Sequence, residues 1–167
     1  MEIKKIAQNS LNFIIKRFIE LLGIIICVMG LMLLISLLSY SPEDPNFIFP
    51  DNLEVKNLFG FRGSFISDLF FQSIGFISIL FAVTLTITGI NITKSKQVFI
   101  LIENLFFIIM SSLAGCIFLS SFYDNSFLLS LNGSGGFIGK YLYSSILGDL
   151  INSSPRISFY FLLILTL

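Results

Sequence analysis

Histidine and tryptophan are absent from this 167-residue chain, cysteine occurs twice, proline four times, and only 12% of the residues are charged. With no histidine, and with Cys27 and Cys116 each embedded in an apolar run, the side chains that usually hold zinc, iron or copper are almost missing. The same gap removes any Ser/His/Asp or Cys/His arrangement of the kind that nucleophilic catalysis needs. No metal, cofactor or catalytic residue is therefore expected, and the two cysteines read as small buried hydrophobes. Ten Lys and Arg balance ten Asp and Glu, so the basic excess that neutralises phosphates is lacking and no direct nucleic-acid contact is expected. A soluble domain carries about twice this charged fraction, which argues against a water-soluble fold.

Apolar residues are what the chain has: 55% of the total, for a mean hydropathy of +0.93. A chain of this size cannot bury that many in its own core, so the lipid bilayer is the expected partner. Residues 21–40 carry no charge, and twenty helical residues cover the roughly 30 Å of hydrocarbon. Further apolar runs occupy about 69–92, 105–122 and 157–167. The last has eleven residues and falls short of a full crossing. These runs predict an all-α membrane protein: a four-transmembrane helical bundle made of two helix–loop–helix hairpins, its fourth helix incomplete, as in a fragment or a truncated reading frame. The first run is longer than the apolar part of a signal peptide and is read as an uncleaved anchor.

Before the first run, Ile3, Ile6, Ala7, Leu11, Ile14, Ile15 and Phe18 recur at helical spacing opposite Lys4, Lys5, Gln8, Asn12 and Lys16. This fits either a basic amphipathic helix on the membrane surface or the lead-in of the first span. Lys4, Lys5, Lys16 and Arg17 place the N-terminus inside, and alternation then puts the link bearing Lys94 and Lys96 inside as well. The two longer loops fall outside. Glu103 reads as an interfacial carboxylate beside Lys94 and Lys96.

The first outer loop opens with Ser41-Pro42-Glu43-Asp44-Pro45-Asn46 and runs through Asp51 and Glu54 to Gly60. Two prolines and several turn formers end the helix there and predict an acidic, exposed loop. The second contains Gly133, Gly135, Gly136 and Gly139 ahead of Lys140 and is expected to hold a short interfacial helix. That block looks like a phosphate loop but lacks its details, since Ser134 stands at the first required glycine and Tyr141 where Ser or Thr would hold magnesium. The glycines are read as turning the chain sharply and packing the short helix closely. A weak internal repeat relates Gly63, Phe65, Ile66, Ser73 and Ile74 to Gly135, Phe137, Ile138, Ser145 and Ile146, 72 residues on.

Ser64, Asp68 and Gln72, four apart, form a polar stripe at the start of the second run. It reads either as a solvated helix end or as a packing contact in which the repeat sets Lys140 opposite Asp68. Ser111 with Gly115, and Thr84 with Thr88, are small pairs suited to close helix approach. No run carries a charge at its middle, which disfavours the alternative of a transporter or channel subunit.

Three blocks in order resemble the N-terminal membrane domain of the FtsK/SpoIIIE-type DNA translocases. They are Ser39-Tyr40-Ser41-Pro42-Glu43-Asp44-Pro45; Gly60-Phe61-Arg62-Gly63 followed by Asp68-Leu69-Phe70-Phe71; and Ser134-Gly135-Gly136-Phe137-Ile138-Gly139. The resemblance implies a four-span anchor in the bacterial inner membrane that places a cytoplasmic DNA motor at the division septum. It also implies contacts with division-septum proteins, and a homo-oligomer because the family motor is a ring. Pro42, Asp44, Pro45, Gly63, Asp68, Gly135, Gly136, Gly139 and Lys140 are the candidate structural and interaction residues. No ATP or DNA site maps onto any residue here.

Overall fold

The structure, a computed structural model, describes residues 2–45, 54–97, 99–124, 129 and 132–166, with side chains described from residue 8 onward except at 146. The acidic stretch at 46–53 with Asp51, and the side chains of Lys4 and Lys5, lie outside the described residues. Among those described, all regular structure is helical. Helix α1 is Glu2–Leu38, α2 Gly60–Ile74, α3 Ile77–Ser95 and α4 Phe99–Phe122. After the second loop come α5 (Gly136–Leu142), a π-helical turn (Tyr143–Leu147), α6 (Gly148–Ser153) and α7 (Pro155–Thr166).

Three stretches are long and apolar enough to cross a membrane: Gln8–Leu38, Ile77–Ser95 and Phe99–Phe122. Their side chains are largely exposed, with Leu21, Ile25, Met29, Ile87, Phe106 and Phe107 among those uncovered, as lipid-facing helices require. The chain is a helical membrane protein. Helix α7, with 12 residues, is apolar but shorter than a full span, so the expected four spans resolve as three of full length and α7.

Two expected boundaries are corrected. The N-terminal segment and the first span are a single helix of 37 residues, so α1 is about 55 Å long. The apolar run at 69–92 is not one helix: it breaks at Gly75, whose φ of +61° is a conformation glycine adopts without strain. Ser78 restarts the helix, its N–H and hydroxyl both donating to the Gly75 carbonyl at 3.1 and 2.7 Å.

Helices α1 and α3 pack along a seam of small residues. A Cβ on Gly89 would strike the Cys27 backbone, one on Gly30 would come within 2.7 Å of the Thr86 nitrogen, and one on Gly23 within 2.7 Å of the Thr93 nitrogen. Lipid is as apolar as leucine, so close backbone approach replaces hydrophobic burial as the force that joins membrane helices. Of the expected small pairs, Gly115 and Thr88 do sit where other helices come close, whereas Thr84 is turned to its own helix. Thr84 bonds back to Leu80 O at 2.8 Å, Thr88 accepts from Asn104 of α4 at 3.0 Å, and Gly115 receives Ile77 and Thr166 side chains. Helices α4 and α7 are joined by an aromatic group, Phe118, Phe122 and Phe159, with centroids 5.1–5.7 Å apart.

The element order repeats: a long helix, a loop, a short helix, a break and a returning helix run from α1 to α3 and again from α4 to α7. Each half has its own small core, Leu37, Phe71 and Ala82 with Leu129 in the first and Ala114, Ile117, Phe118, Ile151 and Leu162 in the second. Where α3 ends, beside the middle of α1, Glu20 pairs with Arg17 at 2.6 Å and with Lys96 at 3.6 Å. Lys96 thus meets Glu20 rather than the expected Glu103; it ends α3 in the left-handed conformation (φ 58°), its N–H donating to Ile92 O at 2.8 Å.

Candidate functional site

At the opposite end, where α1 stops and α2 begins, polar side chains are buried against each other. Pro42 lies in the turn that ends α1 and is exposed, whereas Asp44 and Pro45 are buried. The Asp44 carboxylate accepts the backbone N–H of Lys56 through Oδ1 at 2.8 Å and that of Asn57 through Oδ2 at 2.9 Å. A carboxylate with two acceptor oxygens is the one small side chain that can take two adjacent backbone donors, so Asp44 pins the far end of the loop to its start. Pro45 contributes its carbonyl, which accepts from Ser64 Oγ at 2.9 Å.

Asn57 is the hub. Its Nδ2 donates to Ser36 O at 2.8 Å, with longer contacts to Ser39 O and Ser67 Oγ at 3.4 Å, and its Oδ1 accepts the Phe59 N–H at 3.1 Å. Ser36 in turn donates to Gly63 O at 2.6 Å. Gly63 must lack a side chain, since a Cβ there would collide with the Asn57 carboxamide. The unpaired carbonyls at the end of α1 are thus satisfied by side chains, as a helix end out of water requires.

The expected stripe of Ser64, Asp68 and Gln72 is a buried strut. Asp68 accepts from Tyr40 Oη at 3.1 Å and from Gln72 Nε2 at 3.5 Å, and Gln72 Oε1 accepts from Asn132 of the second loop at 2.9 Å. Burial, followed by the Asp68 charge, pushes the Tyr40 hydroxyl well above the ordinary tyrosine range. Lys140 does not meet Asp68. It is exposed and makes no ion pair among the described residues, because the glycines of α5, not its lysine, face α2 and α4. Nearby, exposed Glu43 and Lys56 pair across the loop, which lowers the glutamate and raises the lysine from their usual values.

The second loop's glycines dock into the break between α2 and α3. Phe76 donates its N–H to Ser134 O at 3.0 Å, and a Cβ on Gly75 would overlap that same carbonyl. Gly136 lies against the Gly75 nitrogen, while Gly135 and Gly139 lie against Cys116 O and Ser120 of α4. Carbonyls freed by the break find donors: Cys116 Sγ reaches Ile74 O at 3.4 Å and Asn132 reaches Gln72 O at 3.3 Å. Asp44, Pro45, Gly63 and Asp68 therefore form one clasp, Gly135, Gly136 and Gly139 a second, and the strut from Asp68 through Gln72 to Asn132 joins them.

Tyr40, Ser36, Asn57 and Gly75 were not among the expected site residues. A serine and a tyrosine in the last turn of an apolar helix were the available signal. What the arrangement does is hold backbone, since its carboxylates are spent on N–H and O–H donors. Among the described residues no cluster of three or more His, Cys, Asp or Glu is assembled.

Residues 15–167 match the family described as the 4TM region of DNA translocase FtsK/SpoIIIE. That match is to the family's membrane region and not to its motor. The DNA translocase FtsK of Azospirillum brasilense is 33% identical over 88 residues, which make up 52% of this chain and 14% of that protein. No solved structure matches. With the family's membrane region matched from residue 15 to the last residue described and beyond, and its sequence blocks found clasped together, the chain belongs to the FtsK/SpoIIIE 4TM family.

Proposed function

We propose that this chain is the membrane anchor that holds a DNA-translocating motor against the inner face of the bacterial cytoplasmic membrane at the division septum. In this reading the N-terminus and the Lys94/Lys96 link are cytoplasmic, α7 is the fourth membrane helix, and the two clasps form an outer cap that meets other septal proteins. Copies of the chain associate side by side, as a ring-shaped motor would require. The observation that supports it best is the gathering of Arg17 and Lys96 around Glu20 where α3 ends beside α1, the side that positive residues would retain inside. In the cap at the other end Asp44 and Asp68 are already engaged, so the two clasps offer a partner shape rather than these two carboxylates.

Fusing a fluorescent protein to the N-terminus and imaging dividing cells tests the assignment. Accumulation at the constriction is expected, and a uniform membrane distribution would refute the septal role. In a background without Cys27 and Cys116, an impermeant thiol reagent should label Glu54→Cys and spare Ser95→Cys. The reverse pattern would invert the topology.

A further inference from the structure

Where α4 ends and α7 begins, an open cleft of about 310 Å³ is lined by Phe122, Pro155, Arg156, Phe159 and Tyr160. Its walls are three aromatic rings and the Pro155 ring, with one cation among them. Arg156 is exposed and makes no ion pair among the described residues. Phe122 is the last residue of a membrane-spanning helix, so the cleft sits at the boundary between hydrocarbon and water, the depth at which aromatic and cationic side chains contact headgroups. From its mouth an exposed apolar stripe of Ile157, Tyr160, Phe161 and Ile164 runs down one face of α7, spaced at three and four residues as a single helical face must be.

From this geometry we infer a binding site for one glycerophospholipid: Arg156 takes the phosphate, the aromatic cleft holds the glycerol region, and an acyl chain lies along the α7 stripe. A guanidinium matches a phosphate with two parallel N–H donors, and weak hydration makes arginine suited to a site half out of water. Free phosphate fits poorly, because beside Arg156 only the Tyr160 hydroxyl among the lining side chains can donate to it. A neutral diglyceride would leave Arg156 unmatched. Only an amphiphile with phosphate beside acyl chains uses both parts. The site stands apart from the two clasps and does not depend on the anchoring role.

Native mass spectrometry of the purified chain, released from detergent micelles doped with phosphatidylglycerol or with diolein, tests this. One phosphatidylglycerol per chain should be retained, and Arg156→Gln should reduce retention roughly tenfold, the factor expected for loss of a charge-assisted bond. Arg62→Gln, which removes an exposed cation on α2, should leave retention unchanged. Diolein should not be retained, and excess inorganic phosphate should not displace the lipid. Should Arg156→Gln lose its helical circular dichroism, Tyr160→Ala provides the same reading from the cleft wall. Equal retention by wild type and a folded cleft variant, equal retention of diolein, or displacement by phosphate would each overturn the site.

Discussion

Tyr40 donates its phenolic hydrogen to Asp68 across 3.1 Å, tying the turn just after α1 to the middle of α2 and giving a buried carboxylate its shortest hydrogen bond among the described residues. The two should be energetically coupled. Tyr40→Phe and Asp68→Asn are each expected to cost about 1–3 kcal/mol, the usual penalty for stranding a buried polar partner. The double variant should cost less than the sum, read as midpoints of thermal unfolding in detergent. Additive losses would mean that the contact carries no energy.

Burial of the same hydroxyl, with the Asp68 charge beside it, sets a pH response. The hydroxyl's pKa is raised in the folded protein, above an unfolded value of about 10. The stabilisation is therefore complete below pH 10 and is lost as pH climbs through the folded value. Tyrosinate absorbance followed against pH should show one fewer late-titrating group in Tyr40→Phe, with the curves of variant and wild type superposing at lower pH. A difference near the ordinary tyrosine value would show that the hydroxyl is not held.

Asp44 takes two backbone donors with two oxygens, whereas asparagine has only one oxygen to offer. Asp44→Asn should cost about 1–3 kcal/mol by stranding one N–H, and Asp44→Ala more, by stranding both. Proteolysis between Pro45 and Gly60, timed in detergent, should quicken in the same order. Equal rates for wild type and both variants would show that the loop is not pinned.

Two glycine substitutions should separate contact from conformation. Gly89→Ala drives a methyl into the Cys27 backbone and should part α1 from α3 at a cost of about 1–3 kcal/mol or more. Gly60→Ala meets open space but has a φ of +62°, so it should lose only about 1–2 kcal/mol of backbone strain. Measured melting shifts in the opposite order would contradict the seam.

The helical class, the proline turn that ends α1 and the glycine block's packing role were legible in the sequence because each is written in local composition, but the loop expected to be exposed buries Asp44, Pro45 and Asn57. The break at Gly75 was not, since one glycine amid apolar residues leaves hydropathy undisturbed and its purpose lies 59 residues away at Ser134. Asn57 escaped notice for a similar reason: its partners, Ser36 and Ser67, are unremarkable until the chain folds. The proposed pair of Asp68 and Lys140 assumed that equivalent places in a repeat face one another. The strut shows why they need not, because Tyr40 and Gln72 reach Asp68 from its own half.

Helix α1 passes from the Thr86 contact at Gly30 to Arg17, and on toward its start, without a joint. An unbroken helix is a stiff rod, so a small tilt at the glycine seam swings its free end through a larger arc, while a twist arrives undiminished. Force applied at either end would be felt at the other. A hinge of two glycines placed near Ser10 would decouple the two ends while leaving every contact between α1 and α3 intact.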